Sequence, residues 1–286
     1  MTNSDDPMTQ QMLDAQGRVL VFDSGMGGLT VAREIRQIAP ALQVDYAADT
    51  GFFPYGDKSD EALRARLPEV AAALVREARP DVFVIACNTA STLALDDVRA
   101  RLDIPVVGTV PAIKPAASLT RTGVIGLLAT PGTIRRAYTA RLIEEFAGDV
   151  TVILHGSVDL VRLAEAFAAD EAYDARGFAA ALAPIFDARD GDTVDTIVLA
   201  CTHFPLVRAQ LAAAAPVGVT FIDSGAAIAR QTLRVLGNTA LAERAEKAGG
   251  RLFITDEGSD HARLVKVCAR FGFERVGPPV LLTAER

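Results

Sequence analysis

The sequence contains no run of apolar residues approaching the roughly 18 to 20 that span a bilayer, and no run of five or more basic residues. The first absence excludes a membrane-spanning helix. The second, together with a net charge of -7, argues against a general nucleic-acid surface and against attraction to acidic membranes. The polar start Met1 to Asp14 lacks the basic-then-apolar layout of a secretory signal. The expected address is cytoplasmic and the expected partner a small ligand, with no nucleic acid and no membrane. Cysteine is also scarce: there are three, an odd number too sparse for a disulfide framework, so each is either core filler or chemistry.

What is present suits a globular chain. Half of the 286 residues are hydrophobic, enough for a full core and about two domains by length. Residues 1–16 show neither helical nor strand periodicity and read as a disordered or loosely docked tail. From Gly17 onward short β-branched and apolar runs alternate with longer helical stretches, the pattern of an α/β protein with largely parallel strands. The runs predict strands over Val19–Asp23, Gln43–Ala47, Val82–Ala86, Val106–Gly108, Val124–Ala129, Val150–Leu154, Thr196–Ala200, Val219–Ile222 and Arg251–Thr255. Helices are predicted over Leu29–Ile38, Ser59–Arg79 (kinked or split at Pro68), Thr133–Phe146, Asp159–Phe167, Gly177–Asp187 and Ala226–Leu236.

The sequence echoes itself. Val-Ile-Ala-Cys-Asn-Thr (84 to 89) is answered by Val-Leu-Ala-Cys-Thr-His (198 to 203), and a fainter echo pairs Val-Phe-Asp-Ser-Gly (21 to 25) with Leu-Leu-Ala-Thr-Pro-Gly (127 to 132). Each segment is a strand ending in hydrogen-bonding residues, which implies two similar α/β halves. Ligands of such sheets bind beyond the carboxyl ends of the strands, where Cys87 and Cys201 both fall.

A cysteine in an apolar setting is ordinarily a small buried hydrophobe, and Cys268, on the helical-looking stretch Ala262–Phe271, keeps that reading. Cys87 and Cys201 depart from it, because Asn88 and Thr89, or Thr202 and His203, follow them in place of more core. A duplicated thiol is uneconomical for acyl transfer, which needs one nucleophile and a base. Inverting a carbon stereocentre by proton exchange does need two groups, one on each face. One thiol must then start as thiolate, although a free thiol is only a few per cent ionised at neutral pH. Asp23 and His203 are candidates to assist one thiol each. Ser24, Asn88, Thr89, Thr130 and Thr202 supply short polar groups to fix the substrate and its developing charge.

The glycine-rich stretch Asp-Ser-Gly-Met-Gly-Gly (23 to 28) follows a strand and opens a helix, a setting that admits close backbone approach and favours an anion. A dinucleotide site would require a glycine where Thr30 stands, although Asp49 lies near the distance of a ribose-binding acid. A structural tight turn is the plainer alternative. The Asp49–Lys58 loop, with aromatics, Pro and Gly, suits either closure over a site or the pinning of Phe52 and Phe53 into the core. Zinc on Cys87, Cys201 and His203 would lack a fourth ligand. His155 and His261 stand alone.

Five stretches in order carry a resemblance: Phe-Asp-Ser-Gly-Met-Gly-Gly-Leu-Thr (22 to 30), Asp-Thr-Gly-Phe-Phe-Pro-Tyr-Gly-Asp-Lys (49 to 58), Ala-Cys-Asn-Thr-Ala-Ser (86 to 91), Gly-Thr-Val-Pro-Ala-Ile-Lys-Pro-Ala (108 to 116) and Leu-Ala-Cys-Thr-His-Phe-Pro-Leu (199 to 206). From Val19 to Gly272 the chain resembles the glutamate racemase family, within the aspartate/glutamate racemase superfamily. The resemblance implies two pseudo-symmetric α/β domains with the active site in the cleft between them, and neither pyridoxal phosphate, another cofactor nor a metal. It implies Cys87 and Cys201 as the bases, with substrate contacts from Asp23, Ser24, Tyr55, Gly56, Asn88, Thr89, Thr202 and His203. Glu165 looks like the family glutamate that polarises the histidine, although Ser157-Val158 stands where many members have Cys-Pro. The family's inserted second domain implies boundaries at 17–113 plus 223–286 for the first domain and 114–222 for the second. A homodimer and the supply of D-glutamate for peptidoglycan are implied as well. An aspartate racemase, differing by one methylene of substrate, and a binding module that kept the cleft are the rival readings.

Overall fold

Six successive residues from Arg18 to Asp23 are buried, as in a strand covered on both faces. The computed structural model describes residues 17–237, 250–258 and 261–282; the tail expected at 1–16 lies outside them. The strands are β1 (Arg18–Asp23), β2 (Gln43–Ala48), β3 (Val82–Ile85), β4 (Val106–Gly108), β5 (Val124–Ala129), β6 (Thr151–Gly156), β7 (Thr196–Ala200), β8 (Thr220–Ile222), β9 (Gly250–Ile254) and β10 (Phe273–Arg275). They form two sheets, β10-β9-β2-β1-β3-β4 and β6-β5-β7-β8, with every pairing parallel. The order β2-β1-β3-β4 recurs as β6-β5-β7-β8, so the internal echo in the sequence is a repeat of topology. β9 and β10 return from the far end of the chain to extend the first sheet.

Helices cover both faces of each sheet: α1 (Leu29–Ile38), α2 (Asp60–Ala78), α3 (Asn88–Arg101), α4 (Ile113–Leu119), α5 (Pro131–Arg135), α6 (Ala137–Phe146), α7 (Asp159–Ala168), α8 (Arg176–Phe186), α9 (Arg208–Ala214), α10 (Gly225–Gly237) and α11 (His261–Arg270). The two-residue period of a strand sorts its side chains between them. Val19 and Val21 join the core under α1, α10 and α11. Leu20 and Phe22 join the core under α2 and α3. In the second sheet Leu128 faces α7 and α8, whereas Leu127 and Ala129 face α4 and α6. Cys268 is fully buried in the first of these cores, and burial raises its thiol pKa.

Several expectations are corrected. Pro68 does not split its helix, which runs unbroken over Asp60–Ala78; buried Leu63, Leu67, Val70, Ala71 and Leu74 hold it to the sheet despite the lost backbone donor. The single helix expected over Thr133–Phe146 is two, α5 and α6, broken at Arg136 with ψ 140. Helices α3, α4 and α9 and strand β10 were not expected from the pattern. The first seven residues of α3, Asn88 to Ala94, are all buried and mix polar with apolar side chains, so that half has no solvent face set against an apolar one to mark a helical period.

Tyr46 and Tyr55 are among the largest fully buried side chains. Burial raises both hydroxyls well above their ordinary value of 10.0, reinforced by the charges of Asp23 and Asp49 respectively. Below pH 10 folded and unfolded chains both hold these protons. Above it the unfolded chain releases them and the folded chain does not, so stability should fall by about 1.4 kcal/mol per tyrosine per pH unit. Urea melts on either side of pH 10 read this slope, and Tyr46→Phe should reduce it by one tyrosine's share, the buried Cys87 and Cys268 thiols adding a like fall of their own; a flat wild-type profile would contradict the assignment.

Candidate active site

The carboxyl ends of β1, β3, β5 and β7 converge on one cavity of about 400 Å³. Ser24, Tyr55, Gly56, Cys87, Asn88 and Thr89 line it from the first half. Thr130, Glu165, Cys201, Thr202 and His203 line it from the second. Every residue expected to act on or bind a substrate is therefore brought together here except Asp23, which is fully buried and lies beneath the wall. Its carboxylate accepts from Thr202 Oγ1 at 2.9 Å and from the Gly25 backbone N–H at 3.0 Å, so it braces one half against the other.

The two thiols have different surroundings despite their matching sequence contexts. Cys87 occupies the N-cap position of α3. Burial raises its pKa and the Asp23 charge adds to this, while the backbone N–H groups of Ala90 and Thr89 oppose it. Cys201 instead opens a turn, and its Sγ stands 3.9 Å from His203 Nδ1. His203 Nε2 lies 3.1 Å from Glu165 Oε1, and Arg263 Nη2 donates to Glu165 Oε2 at 2.9 Å. Burial pulls the His203 pKa down, but the hydrogen bonds and charges of Cys201 and Glu165 outweigh it and place the imidazole well above its ordinary 6.5. Asp23 is raised by burial, offset in part by His203 and by its own hydrogen bonds.

Asn88 Oδ1 is buried without a hydrogen-bond partner on a side chain that lines the cavity. An unpaired buried acceptor costs about 1 to 3 kcal/mol, so a donor on a bound molecule would relieve it. Thr89, Thr130 and Thr133 form a hydroxyl cluster with Oγ1 separations of 3.0 to 3.4 Å, joining α3 to the end of β5. Arg136 crosses the same seam, donating to the Thr89 carbonyl at 3.2 Å and to Asp60 at 2.8 Å.

The glycine-rich turn is a close-approach seam. A Cβ on Gly27 would stand 2.5 Å from Thr202 Oγ1 and 2.6 Å from His203 Nδ1, so glycine lets the two halves meet at the acid/base residues. Asp49, weighed above as a ribose ligand, is occupied internally. Arg66 binds it through Nε at 2.7 Å and Nη2 at 2.6 Å, and the Tyr55 and Thr255 hydroxyls each approach it at 2.6 Å. The Asp49–Lys58 loop packs Phe52 on the core under α2 and α3 and Phe53 on the core under α7 and α8, while Phe53, Tyr55 and Gly56 also wall the cavity. Among the described residues no group of three or more His, Cys, Asp or Glu is placed to hold a metal ion, and no helix is long and apolar enough to cross a membrane.

Arg162 and Arg263 line the cavity without having been singled out in the sequence. Arg162 stands on α7 one turn before Glu165, so the helical period gives a retrospective signal for it. Arg263 arrives from α11, 98 residues from its partner Glu165, and no local pattern announces it.

The Asp/Glu/Hydantoin racemase family model matches residues 20–232. The chain is 50% identical over 213 residues to the glutamate racemase of Sphingopyxis alaskensis, covering 74% of this chain and 80% of that protein. It is 44% identical over 250 residues to that of Brucella anthropi, covering 87% and 90% respectively. A crystal structure of Escherichia coli glutamate racemase in complex with L-glutamate and the activator UDP-MurNAc-Ala superimposes with a TM-score of 0.85 at 42% identity, over 91% of this chain and 97% of that one. The chain belongs to the Asp/Glu/hydantoin racemase family and, within it, to the glutamate racemases.

Proposed function

We propose that this chain interconverts L- and D-glutamate by exchanging the α-proton between Cys87 and Cys201. The observation that carries the mechanism is the delivery of two thiols, from equivalent strand ends of the two sheets, to one cavity. One thiol starts as thiolate and takes the α-proton, leaving an electron pair at Cα that spreads into the α-carboxylate. The other thiol delivers its proton to the opposite face and becomes the thiolate. The new C–H bond replaces the old one, and charge and proton count are unchanged.

The surroundings fit these roles. Helix α3 presents backbone N–H groups to Cys87 that oppose part of the rise burial imposes on its thiol, as does the positive end of the helix. His203 stands at Cys201 to share its proton. Asn88 Oδ1 offers an acceptor for the substrate ammonium, as does Thr202 Oγ1, whose own proton goes to Asp23, and the Ser24, Thr89 and Thr130 hydroxyls, with the Tyr55–Gly56 segment, offer donors to its two carboxylates. Glu165 orients His203, and Asp23 fixes Thr202. The division of the chain into 17–113 plus 223–286 and 114–222 agrees with this reading, because α4 packs with the second sheet and α10 with the first.

On family resemblance the reaction belongs in the cytoplasm and supplies D-glutamate for peptidoglycan. The same resemblance supports a homodimer, which sedimentation at assay concentration reads directly. The testing experiment is circular dichroism of L-glutamate, and separately L-aspartate, in deuterated water with protein and no added cofactor. Decay of the glutamate signal with deuterium at the α-carbon, and little change in aspartate, is the expected result. No decay from folded, reduced protein would overturn the reading, and preferential decay of aspartate would transfer the chemistry to the shorter substrate.

A further inference from the structure

Glu165 is buried and shares its two oxygens between two residues. Oε1 meets His203 and Oε2 accepts from Arg263. The partners come from different halves: α7 covers the second sheet through Leu160, Val161 and Ala164, whereas α11, which carries Arg263, packs on the first through Leu264 and Val267. Arg263 also holds Glu171 Oε2 at 3.4 Å from Nη1, so its guanidinium is fixed between two carboxylates. Such charge-assisted, planar contacts set direction as well as charge.

We propose that Arg263 is a positioning residue for proton transfer at Cys201: by binding one oxygen of Glu165 it keeps the other oxygen aimed at His203, which holds the imidazole toward the thiol. The C-terminal helix thereby belongs to the apparatus that prepares a thiol borne by the other half. This inference rests on the reading of Cys201 as a proton-exchanging group.

The other charged groups around the relay do not replace Arg263. Asp23, at the end of β1, opposes a second anion at Glu165. Arg162, on the same helix as Glu165, pairs with Asp159 at 3.1 Å. Cys87 faces the same cavity, and His261 lines the adjoining pocket with Arg263. Among the described residues Arg263 is the arginine in hydrogen-bond contact with Glu165.

The test reads Cys201 without substrate. In a Cys87→Ala, Cys268→Ala background, iodoacetamide alkylation is followed against pH for Arg263, Arg263→Gln, Arg263→Lys and Glu165→Gln proteins, with folding checked by circular dichroism. Arg263→Gln should move the alkylation profile about one unit toward higher pH, equivalent to about a tenfold slower reaction at neutral pH. The cause is that Glu165 then loses the contact that aims Oε1 at His203 and so supports the imidazolium less. Arg263→Lys should restore most of the rate. Glu165→Gln should give the same shift, and Arg263→Gln added to it should give nothing further. An unmoved profile in folded Arg263→Gln, a Lys variant as impaired as the Gln variant, or additive shifts in the double variant would each overturn the proposal. Should Arg263→Gln not fold, the Lys variant and its combination with Glu165→Gln decide on the same criteria. Racemisation is assayed alongside with both cysteines present. An alkylation shift in a protein that racemises neither glutamate enantiomer would keep the relay and discard the substrate, whereas racemisation with no alkylation shift would do the reverse.

Discussion

Cys87→Ala and Cys201→Ala should each lower racemisation in both directions by at least about 10²- to 10⁴-fold, the usual contribution of one positioned acid or base, while leaving the fold intact. Both directions fail together because each inversion uses both thiols, one to remove the proton and one to return it. The fold survives because each cysteine sits at a cavity wall, 5% and 7% exposed, and alanine retains its backbone and Cβ. The surviving thiol still faces one enantiomer, so residual solvent-deuterium exchange should be confined to that enantiomer and proceed with retention. Progress curves from both enantiomers, with mass detection of the α-deuterium, separate these outcomes. A single variant with near-normal turnover in both directions would remove the two-thiol mechanism.

That pair of residues was legible because the chain repeats itself. Two strand ends with the same Ala-Cys beginning announced two halves, and the sheets bear this out with the order β2-β1-β3-β4 matched by β6-β5-β7-β8. Short apolar runs gave most of the strands, since parallel strands buried on both faces carry continuous apolar sequence. Helix α3 escaped because its first half is buried all round. The break at Arg136 escaped because its cause is remote: the side chain is drawn to Thr89 and Asp60 across the seam. Local pattern has no access to such pairings.

The site divides along the same line. Residues adjacent in sequence to a strand end, namely Ser24, Asn88, Thr89, Thr130, Thr202 and His203, could be found from position alone, and they line the cavity. Glu165 was reached through family resemblance. Arg263 was not reached at all, because its role depends on the return of the chain to the first sheet and on a carboxylate 98 residues away. The glycine-rich turn was located correctly but given an incomplete reason. Gly27 is required for the approach of Thr202 and His203, so what its backbone admits is the other half of the same chain.

Asp49→Ala should cost about 3 to 5 kcal/mol of stability, the range for removing one partner of a buried, hydrogen-bonded charge pair. Against a typical total of about 5 to 15 kcal/mol this is a large fraction. The carboxylate is fully buried and accepts two bonds from Arg66, with Tyr55 and Thr255 also within hydrogen-bond distance, so its loss leaves several donors without an acceptor. The effect should reach the cavity through the loop. Tyr55 is tied to Asp49 by its hydroxyl, and with Gly56 it forms one wall, so substrate binding should weaken. KM for glutamate should therefore rise more than kcat falls, since the thiols, His203 and Glu165 keep their own contacts. Asp49→Asn should fall between the two, because an amide retains one accepting oxygen but cannot receive the paired guanidinium donors on both sides. Urea denaturation measures the first effect and initial rates from L-glutamate the second. A stability change below about 1 kcal/mol, too small for the loss of a buried charge partner, would show that Asp49 does not anchor the loop.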